Sequence, residues 1–307
     1  MYNSLRWSIT DHAIFNPSAI SIRVTIMESA SKDTRGSFAA KKTPATPKGL
    51  LGIAVRAARA AGEIINRNFE DRDHITVQEK AKDDLVSNVD QECEIAIRKV
   101  IARYYPEHGV LAEESGYSQA GQDSDYLWVI DPIDGTANFL KGIPHVAVSI
   151  GIKIKGITSV GVVYDPIRNE MFTAAKGEGA ILNNKKIRVS DLKTLDTGIF
   201  ATAFPFRQRQ HMEHYRKILT RVMDRCSDIR RAGAASLDLA YVAAGRMDGY
   251  FELCLKPWDF CAGELLVREA GGIITDFEGK PEYAKNGNIV AANPYIIQNL
   301  LREIKAA

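Results

Sequence analysis

The sequence predicts a layered α/β fold, and three observations point to it. Two amphipathic helical stretches come first, an antiparallel strand section follows, and the C-terminal half alternates strands with helices. The 307 residues, 45% hydrophobic and 25% charged, suffice for a substantial core. No internal repeat is evident that would suggest a solenoid instead.

Leu51, Val55, Ala58, Ala61, Ile65 and Phe69 recur at helical spacing from Lys48 onward, with Arg56, Arg59, Glu63 and Arg67 on other faces. A second helix is expected from about Asp90 to Tyr105, through Ile95, Ile97, Val100 and Ile101, until Pro106 stops it. Tyr126 to Ile130 is a short apolar strand that ends in a carboxylate-rich turn. Val146 to Ile154 and Ile157 to Tyr164 flank Lys155-Gly156 and read as an antiparallel hairpin. A strand from Glu170 to Ala174 leads through Lys176-Gly177-Glu178-Gly179 to another short one. The alternating half is expected to begin with a strand near Gly198, a helix near Gln208 to Arg225 and a strand near Ser227. A helix from Ala234, a strand from Asp248 and a helix from Asp259 come next. Strands near Ile273 and Asn288 and a helix from Pro294 complete it.

Composition bounds the function only loosely. With 40 basic against 38 acidic residues, the formal charge of +2 is too close to neutral to point to a polyanion partner and says little about partners. Cys93, Cys226, Cys254 and Cys261 are scattered without a C-x-x-C pair, as buried thiols in a reducing compartment would be. No apolar run reaches the ~18 residues of a membrane span, so a cytoplasmic protein without a membrane partner is expected. Residues 1–47 differ from the rest. They are rich in Ser, Thr, Ala and Lys, lack helical periodicity and end in Thr43-Pro44-Ala45-Thr46-Pro47. The expectation is a disordered extension preceding one folded domain, 48–307. Asp11, Glu28 and Asp33 count against an organellar transit peptide.

The chemistry concentrates in Asp131-Pro132-Ile133-Asp134-Gly135-Thr136, where an apolar strand stops and a turn begins. Pro132 fixes its own φ and biases Asp131 toward an extended conformation. Two carboxylates three residues apart around that turn can converge on one point. Unneutralised, they would repel and one pKa would rise; a hard cation between them resolves this. Gly135 permits close backbone approach, and Thr136 offers a hydroxyl and an N–H at a potential helix start, donors that suit a phosphate. Further carboxylates stand at element ends: Glu113-Glu114 after Gly109-Val110-Leu111-Ala112, Asp259 after Trp258, and Asp84 and Asp90 before the second helix. Each alone reads as a cap or a surface acid. Together they make a shared metal site the better account. Oxygen-only ligands favour Mg²⁺ or Mn²⁺ over Zn²⁺. The spacing is D-x-x-D, not the D-x-D of aspartyl-phosphate enzymes, so direct attack by water is expected. Asp123-Ser124-Asp125 has the other spacing but precedes the strand.

Glu113-Glu114-Ser115-Gly116, Asp131 to Thr136 with Asn138-Phe139, and Trp258-Asp259-Phe260-x-Ala262-Gly263-Glu264 resemble the signature motifs of the inositol monophosphatase family. Arg230-Arg231-x-Gly233-x-Ala235 and Gly249-Tyr250-Phe251-Glu252 match as well, in wording closest to its bacterial SuhB-like branch. The resemblance runs from about Lys48 to the C-terminus, in the family's motif order. Ala137 and Ala112 depart from the commoner Thr and Gly.

The resemblance implies a single αβαβα sandwich and an Mg²⁺-dependent phosphatase working without a phosphoenzyme. It implies that Glu113, Asp131 and the Ile133 carbonyl hold one ion, and that Asp131, Asp134 and Asp259 hold a second. A third, weaker ion would use Glu113 and waters. Thr136, oriented by Asp84, would help Glu113 position and deprotonate the attacking water. Asp134, Gly135, Thr136, Arg230, Ala235 and Glu252 would contact the substrate, with myo-inositol 1-phosphate favoured. Fructose 1,6-bisphosphate, histidinol phosphate and adenosine 3′,5′-bisphosphate remain alternatives. Mn²⁺ as substitute, Li⁺ as inhibitor and a homodimer follow from the same resemblance. So does a second reading, a regulatory protein contacting the transcription or RNA machinery. For that role Arg207, Arg209, Arg216, Lys217, Arg221 and Arg225 form a basic stretch.

Overall fold

The computed structural model describes residues 45–81, 84–118 and 124–307, apart from the side chains of residues 81 and 84. The expected N-terminal extension therefore falls outside the described residues up to residue 44. Thr46 and Pro47, assigned to that extension from sequence, instead open the first helix, α1 (Pro47–Glu70). The Thr46 hydroxyl accepts from Gly49 N at 3.2 Å, and Pro47 occupies a helical position where its missing N–H costs nothing.

A two-stranded ribbon, β1 (Val77–Ala81) and β2 (Asp84–Ser87), leads into α2 (Asn88–Tyr104). Next come β3 (Gly109–Ala112), β4 (Gly116–Tyr117), β5 (Tyr126–Asp134) and the short α3 (Thr136–Lys141). An antiparallel run follows: β6 (Ala147–Ile154), β7 (Ile157–Asp165), β8 (Glu170–Ala175), β9 (Gly179–Leu182) and β10 (Lys185–Lys186). The second half contains β11 (Ile199–Thr202), a 3-10 turn (Phe206–His211), α4 (Met212–Met223), β12 (Asp228–Arg230), α5 (Ala235–Ala243) and β13 (Gly249–Glu252). It closes with α6 (Pro257–Glu269), β14 (Ile273–Thr275), α7 (Tyr283–Asn286), β15 (Ile289–Ala292) and α8 (Ile297–Lys305).

Among the described residues one sheet has the order β10-β9-β8-β7-β6-β5-β3-β4 and another β12-β11-β13-β15-β14. Three hydrophobic cores hold five layers together, the second covering both faces of the central helices. On the outer face of the larger sheet, Leu50, Ala61, Ile65, Ile97 and Ile101 of α1 and α2 meet Trp128, Ile150 and Val162. Its inner face packs Val163 and Phe172 against Leu237, Leu239 and Leu266 of α5 and α6, which also meet Tyr250 and Ala291 of the smaller sheet. Tyr215, Ile218, Leu300 and Ile304 of α4 and α8 cover Phe200, Phe251 and Val290 on the far side. The order is α, β, α, β, α, the sandwich expected.

Two local features aim the site. The strand expected to stop at Ile130 continues as β5 to Asp134, and its register against β6 slips between Asp131 and Asp134. Pro132 cannot donate to a ladder, and an irregularity of this kind accommodates it while bending the strand end. Gly161 on β7 lies against α6 so closely that a Cβ there would stand 2.6 Å from the Ala262 carbonyl oxygen; only glycine lets the helix approach the sheet this far.

Cys93 and Cys261 are buried, Cys226 and Cys254 partly so, and all four thiols are free. No helix among the described residues is long and apolar enough to cross a membrane.

Candidate active site

Parallel pairing of β3 with β5 brings Ala112 beside Ile130, so the residues that follow both strands emerge at the same sheet edge. Glu113 continues the ladder, its N–H donating to the Ile130 carbonyl at 3.1 Å. The Glu113-Glu114-Ser115 turn is clamped from below by Glu94 of α2. This buried carboxylate accepts from Glu114 N at 3.0 Å and Ser115 N at 3.3 Å. Lys80 of β1 stands over the same turn, 2.6 Å from Glu114 and 3.5 Å from Glu113.

On β5, Asp131 is buried and its Oδ1 accepts from Ile133 N at 3.1 Å. It lies opposite Ser149 of β6. Ser149 donates to the Trp258 carbonyl at 3.1 Å, which fixes the start of α6 against this strand end. Asp259 follows in the first turn of α6, accepting from Lys256 N at 2.6 Å. Asp134 turns toward α5 and accepts from both the N–H and the hydroxyl of Ser236, at 2.7 and 2.5 Å. Gly135 caps α3 in the left-handed region, φ 96°, where any side chain would press on the His145 carbonyl at 3.0 Å.

The electrostatics follow from this convergence. Burial, then the charges of Glu113, Asp134 and Asp259, push the Asp131 carboxyl well above the usual carboxylate range. Burial and then Asp134 do the same for Asp259. Asp134 is raised to about 6, chiefly by burial and against the hydrogen bonds from Ser236. Glu113 is raised by burial, with Lys80 opposing. Burial among like charges disfavours the ionised carboxylates, and a divalent cation held between them would favour those forms.

Among the described residues no three His, Cys, Asp or Glu side chains already close around a single point as metal ligands. Glu113 and Asp131 hydrogen-bond each other instead. The donor set nevertheless fits a hard cation. Every group is oxygen, the carboxylates are buried, and their repulsion is what a divalent ion would relieve.

Sequence-expected residues fall into three groups. Glu113, Asp131, Ile133, Asp134, Gly135, Thr136 and Asp259 gather at the ends of β3 and β5 and the start of α6. Ala235 opens α5 beside Asp134, and Glu252 sits on β13, where it accepts from the Tyr250 hydroxyl. Glu252 is raised to about 7 by burial, with Asp134 adding to the rise and Arg231 and Arg207 opposing. The Thr136 hydroxyl donates to Asp90 at 2.9 Å; the side chain of Asp84, the residue expected to orient it, lies outside the described residues. Arg230, expected at the substrate, forms a surface ion pair with Asp228 at 2.5 Å; the arginines whose charges reach Glu252 are Arg231 and Arg207.

Sequence reading also missed Lys80, Glu94 and Ser236, and it placed Arg207 only in a basic stretch, whereas its charge reaches Glu113 and Glu252. The one available signal was their charged or hydroxylic type, and only tertiary contacts reveal the pairing.

The model of the inositol monophosphatase family matches residues 47–306. The chain belongs to the inositol monophosphatase family. Within that family it falls in the SuhB branch. It is 52% identical over 256 residues to the Nus factor SuhB of Escherichia coli K12, covering 83% of this chain and 96% of that one. The crystal structure of extragenic suppressor protein suhB from Bartonella henselae superposes with a TM-score of 0.81 at 41% identity, over 83% of this chain and 98% of the other. The inositol monophosphatase of Anabaena (Nostoc) sp. PCC 7120 gives 0.75 at 37%, over 85% and 96%. The Glu113, Asp131–Thr136 and Trp258–Asp259 motifs of this inositol monophosphatase family member therefore stand in the fold in which such motifs occur.

Proposed function

We propose that this inositol monophosphatase family member is an Mg²⁺-dependent phosphomonoesterase, with myo-inositol 1-phosphate as its favoured substrate. The observation that carries this reading is geometric: β3 and β5 pair so that Glu113 follows beside Ile130 and Asp131, while the Ser149 bond to the Trp258 carbonyl fixes the start of α6, with Asp259, against the same strand end. In this reading Glu113, Asp131 and the Ile133 carbonyl hold one ion and Asp131, Asp134 and Asp259 another. A weaker third uses Glu113 and waters. Bound there, the ions lower the pKa of water and neutralise the leaving alkoxide.

The protein's own groups do the positioning. Thr136, its hydroxyl anchored on Asp90, offers its oxygen to an attacking water beside Glu113. The Gly135 and Thr136 N–H groups face the phosphate, so most of the catalysis is orientation and charge neutralisation. Glu252 and the backbone at Ala235 take the alcohol hydroxyls. Mn²⁺ substitutes for Mg²⁺, Li⁺ inhibits and the working form is a homodimer.

Substrate choice is tested by phosphate release from myo-inositol 1-phosphate, fructose 1,6-bisphosphate, histidinol phosphate and adenosine 3′,5′-bisphosphate under one Mg²⁺ condition. The inositol ester is expected to give the highest kcat/KM. A higher value for another ester retains the metal chemistry and reassigns the substrate.

The likeness to proteins named Nus factor SuhB favours a second reading, a role in the transcription or RNA machinery beside catalysis. The basic stretch on the 3-10 turn and α4 is partly neutralised: Arg221 and Arg225 face Glu303 at 2.8 and 3.9 Å, and Arg216 faces Glu213 at 3.7 Å. Capture of transcription components that survives Asp131→Asn supports this reading, and no capture by either form removes it.

A further inference from the structure

Ser236 is the second residue of α5, and it donates twice to one oxygen. Its backbone N–H lies 2.7 Å and its hydroxyl 2.5 Å from Oδ2 of Asp134, 102 residues earlier in the chain. Both residues are buried, Ser236 completely. The helix has no cap of its own, because Ala234 at that position offers no side-chain acceptor. Asp134 supplies the missing acceptor from another segment, and a carboxylate is what the N–H groups of a first helical turn prefer.

The same two segments are joined again one turn away. The Asn138 side-chain amide donates to the Ala232 carbonyl at 2.9 Å and to the His145 carbonyl at 2.8 Å. The Asp134–Asn138 loop is thus tied to the Ala232–Ser236 segment at both ends. Oδ2 of Asp134 has two lone pairs, and Ser236 engages both, with the Ala235 N–H adding to the donors around this carboxylate. Oδ1 is the oxygen that Ser236 leaves open.

We infer that Ser236 is a positioning residue for Asp134: its hydroxyl and N–H saturate Oδ2 and leave Oδ1 as the single oxygen offered to a divalent cation. This rests on the metal reading above. It also divides labour within the site, because an Asp134 with one open oxygen cannot serve an ion and a substrate hydroxyl through separate oxygens. Recognition of the alcohol then falls more heavily on Glu252. A serine at the start of a helix reads from sequence as a local cap, so only the fold exposes this pairing.

The test is Mn²⁺ binding, followed by the electron paramagnetic resonance of free Mn²⁺, for wild type, Ser236→Ala and Ser236→Thr, with kcat and KM measured against Mg²⁺ concentration. Supporting groups behind metal ligands typically change affinity by about 10- to 100-fold. Ser236→Ala is expected to weaken one class of Mn²⁺ site by about that factor. The Mg²⁺ concentration for half-activation should rise in parallel, with KM for the ester within about threefold once metal saturates. Ser236→Thr, which keeps the hydroxyl, is expected to recover binding to within about threefold of wild type. A wild-type isotherm for a folded Ser236→Ala overturns the inference, as does a folded threonine variant no better than the alanine one. If Ser236→Ala does not fold, Ser236→Cys, with its weaker donor, carries the comparison and is expected to bind less tightly than wild type; equal binding overturns the inference. Wild-type protein that binds no Mn²⁺ overturns the metal reading itself, a separate outcome.

Discussion

The Thr136 hydroxyl stands 2.9 Å from Asp90 Oδ1 and 3.1 Å from the Ile133 carbonyl oxygen, so it is held at two points 46 and 3 residues away in the chain. A hydroxyl has one proton to give. If the Ile133 carbonyl serves a cation, Asp90 is the acceptor that remains, and the threonine oxygen then presents its lone pairs to an attacking water. Asp90 can hold this position because Ser87 N and Oγ fix its other oxygen at 2.8 and 2.5 Å.

Asp90→Asn removes acceptor capacity from one side of that arrangement. Turnover is expected to fall about 10²-fold, as for loss of a group that assists proton transfer. Stability should fall by roughly 1–2 kcal/mol through the weakened helix cap. Asp84→Asn, measured beside it, tests the role in orienting Thr136 that the sequence suggests for Asp84. Parallel kinetics and urea melts of the two variants check this. An Asp84 variant that loses more activity than the Asp90 variant would restore the expectation drawn from sequence.

Asp131→Asn and Asp259→Asn separate catalysis from folding. Each should lower kcat by at least about 10²–10³-fold, the cost of removing a central electrostatic group. Both sites bury carboxyls beside like charges, so the metal-free variants should melt no lower than wild type at neutral pH. Turnover close to wild type for either variant would contradict the proposed site. A large drop in the melting midpoint would contradict the electrostatic account.

The carboxylates also set a pH dependence. Folding raises Asp134 from 3.8 to about 6 and Glu252 from 4.5 to about 7. The folded state therefore holds protons that the unfolded chain releases. Their contribution to stability is complete below about pH 4 and is lost as pH rises through about 6 to 7. Mg²⁺ needs the ionised forms, so its stabilisation grows over the same interval. Melting curves with chelator should fall across it, and the increase on adding Mg²⁺ should be larger at pH 8 than at pH 5.5. An Mg²⁺ effect independent of pH would argue against carboxylate ligation.

Gly161→Ala probes how the sheet places Asp259. A methyl group 2.6 Å from the Ala262 carbonyl must push α6 outward. The expected cost is about 1–3 kcal/mol, together with a weaker apparent affinity for Mg²⁺, because α6 carries Asp259 in its first turn. Unchanged stability would mean that the helix has more freedom than this packing implies.

These relationships explain what was legible in the sequence. Asp131, Asp134 and Glu113 announce themselves because each sits near where an apolar run ends, a local pattern, whereas Asp259, in the first turn of α6, stands out through its motif. The layered α/β architecture was legible through the order of elements, and its αβαβα stacking through the family resemblance. Asp90 was not, because Ser87-x-x-Asp90 is fully accounted for as a capping box and its contact with Thr136 is tertiary. Arg231 follows β12, which ends at Arg230, and the reach of its charge to Glu252 is a tertiary relationship that adjacency in sequence does not show. The end of β5 was misjudged at Pro132, whose missing N–H argues for a strand end unless a bulge accommodates it.

The most direct test of the central claim is phosphate release from myo-inositol 1-phosphate by the purified chain across an Mg²⁺ titration, with a chelator control. Turnover that rises saturably with Mg²⁺ and vanishes with chelator is the expected result. Folded protein that hydrolyses the ester equally well in chelator, or hydrolyses no phosphate ester at any Mg²⁺ concentration, would contradict it.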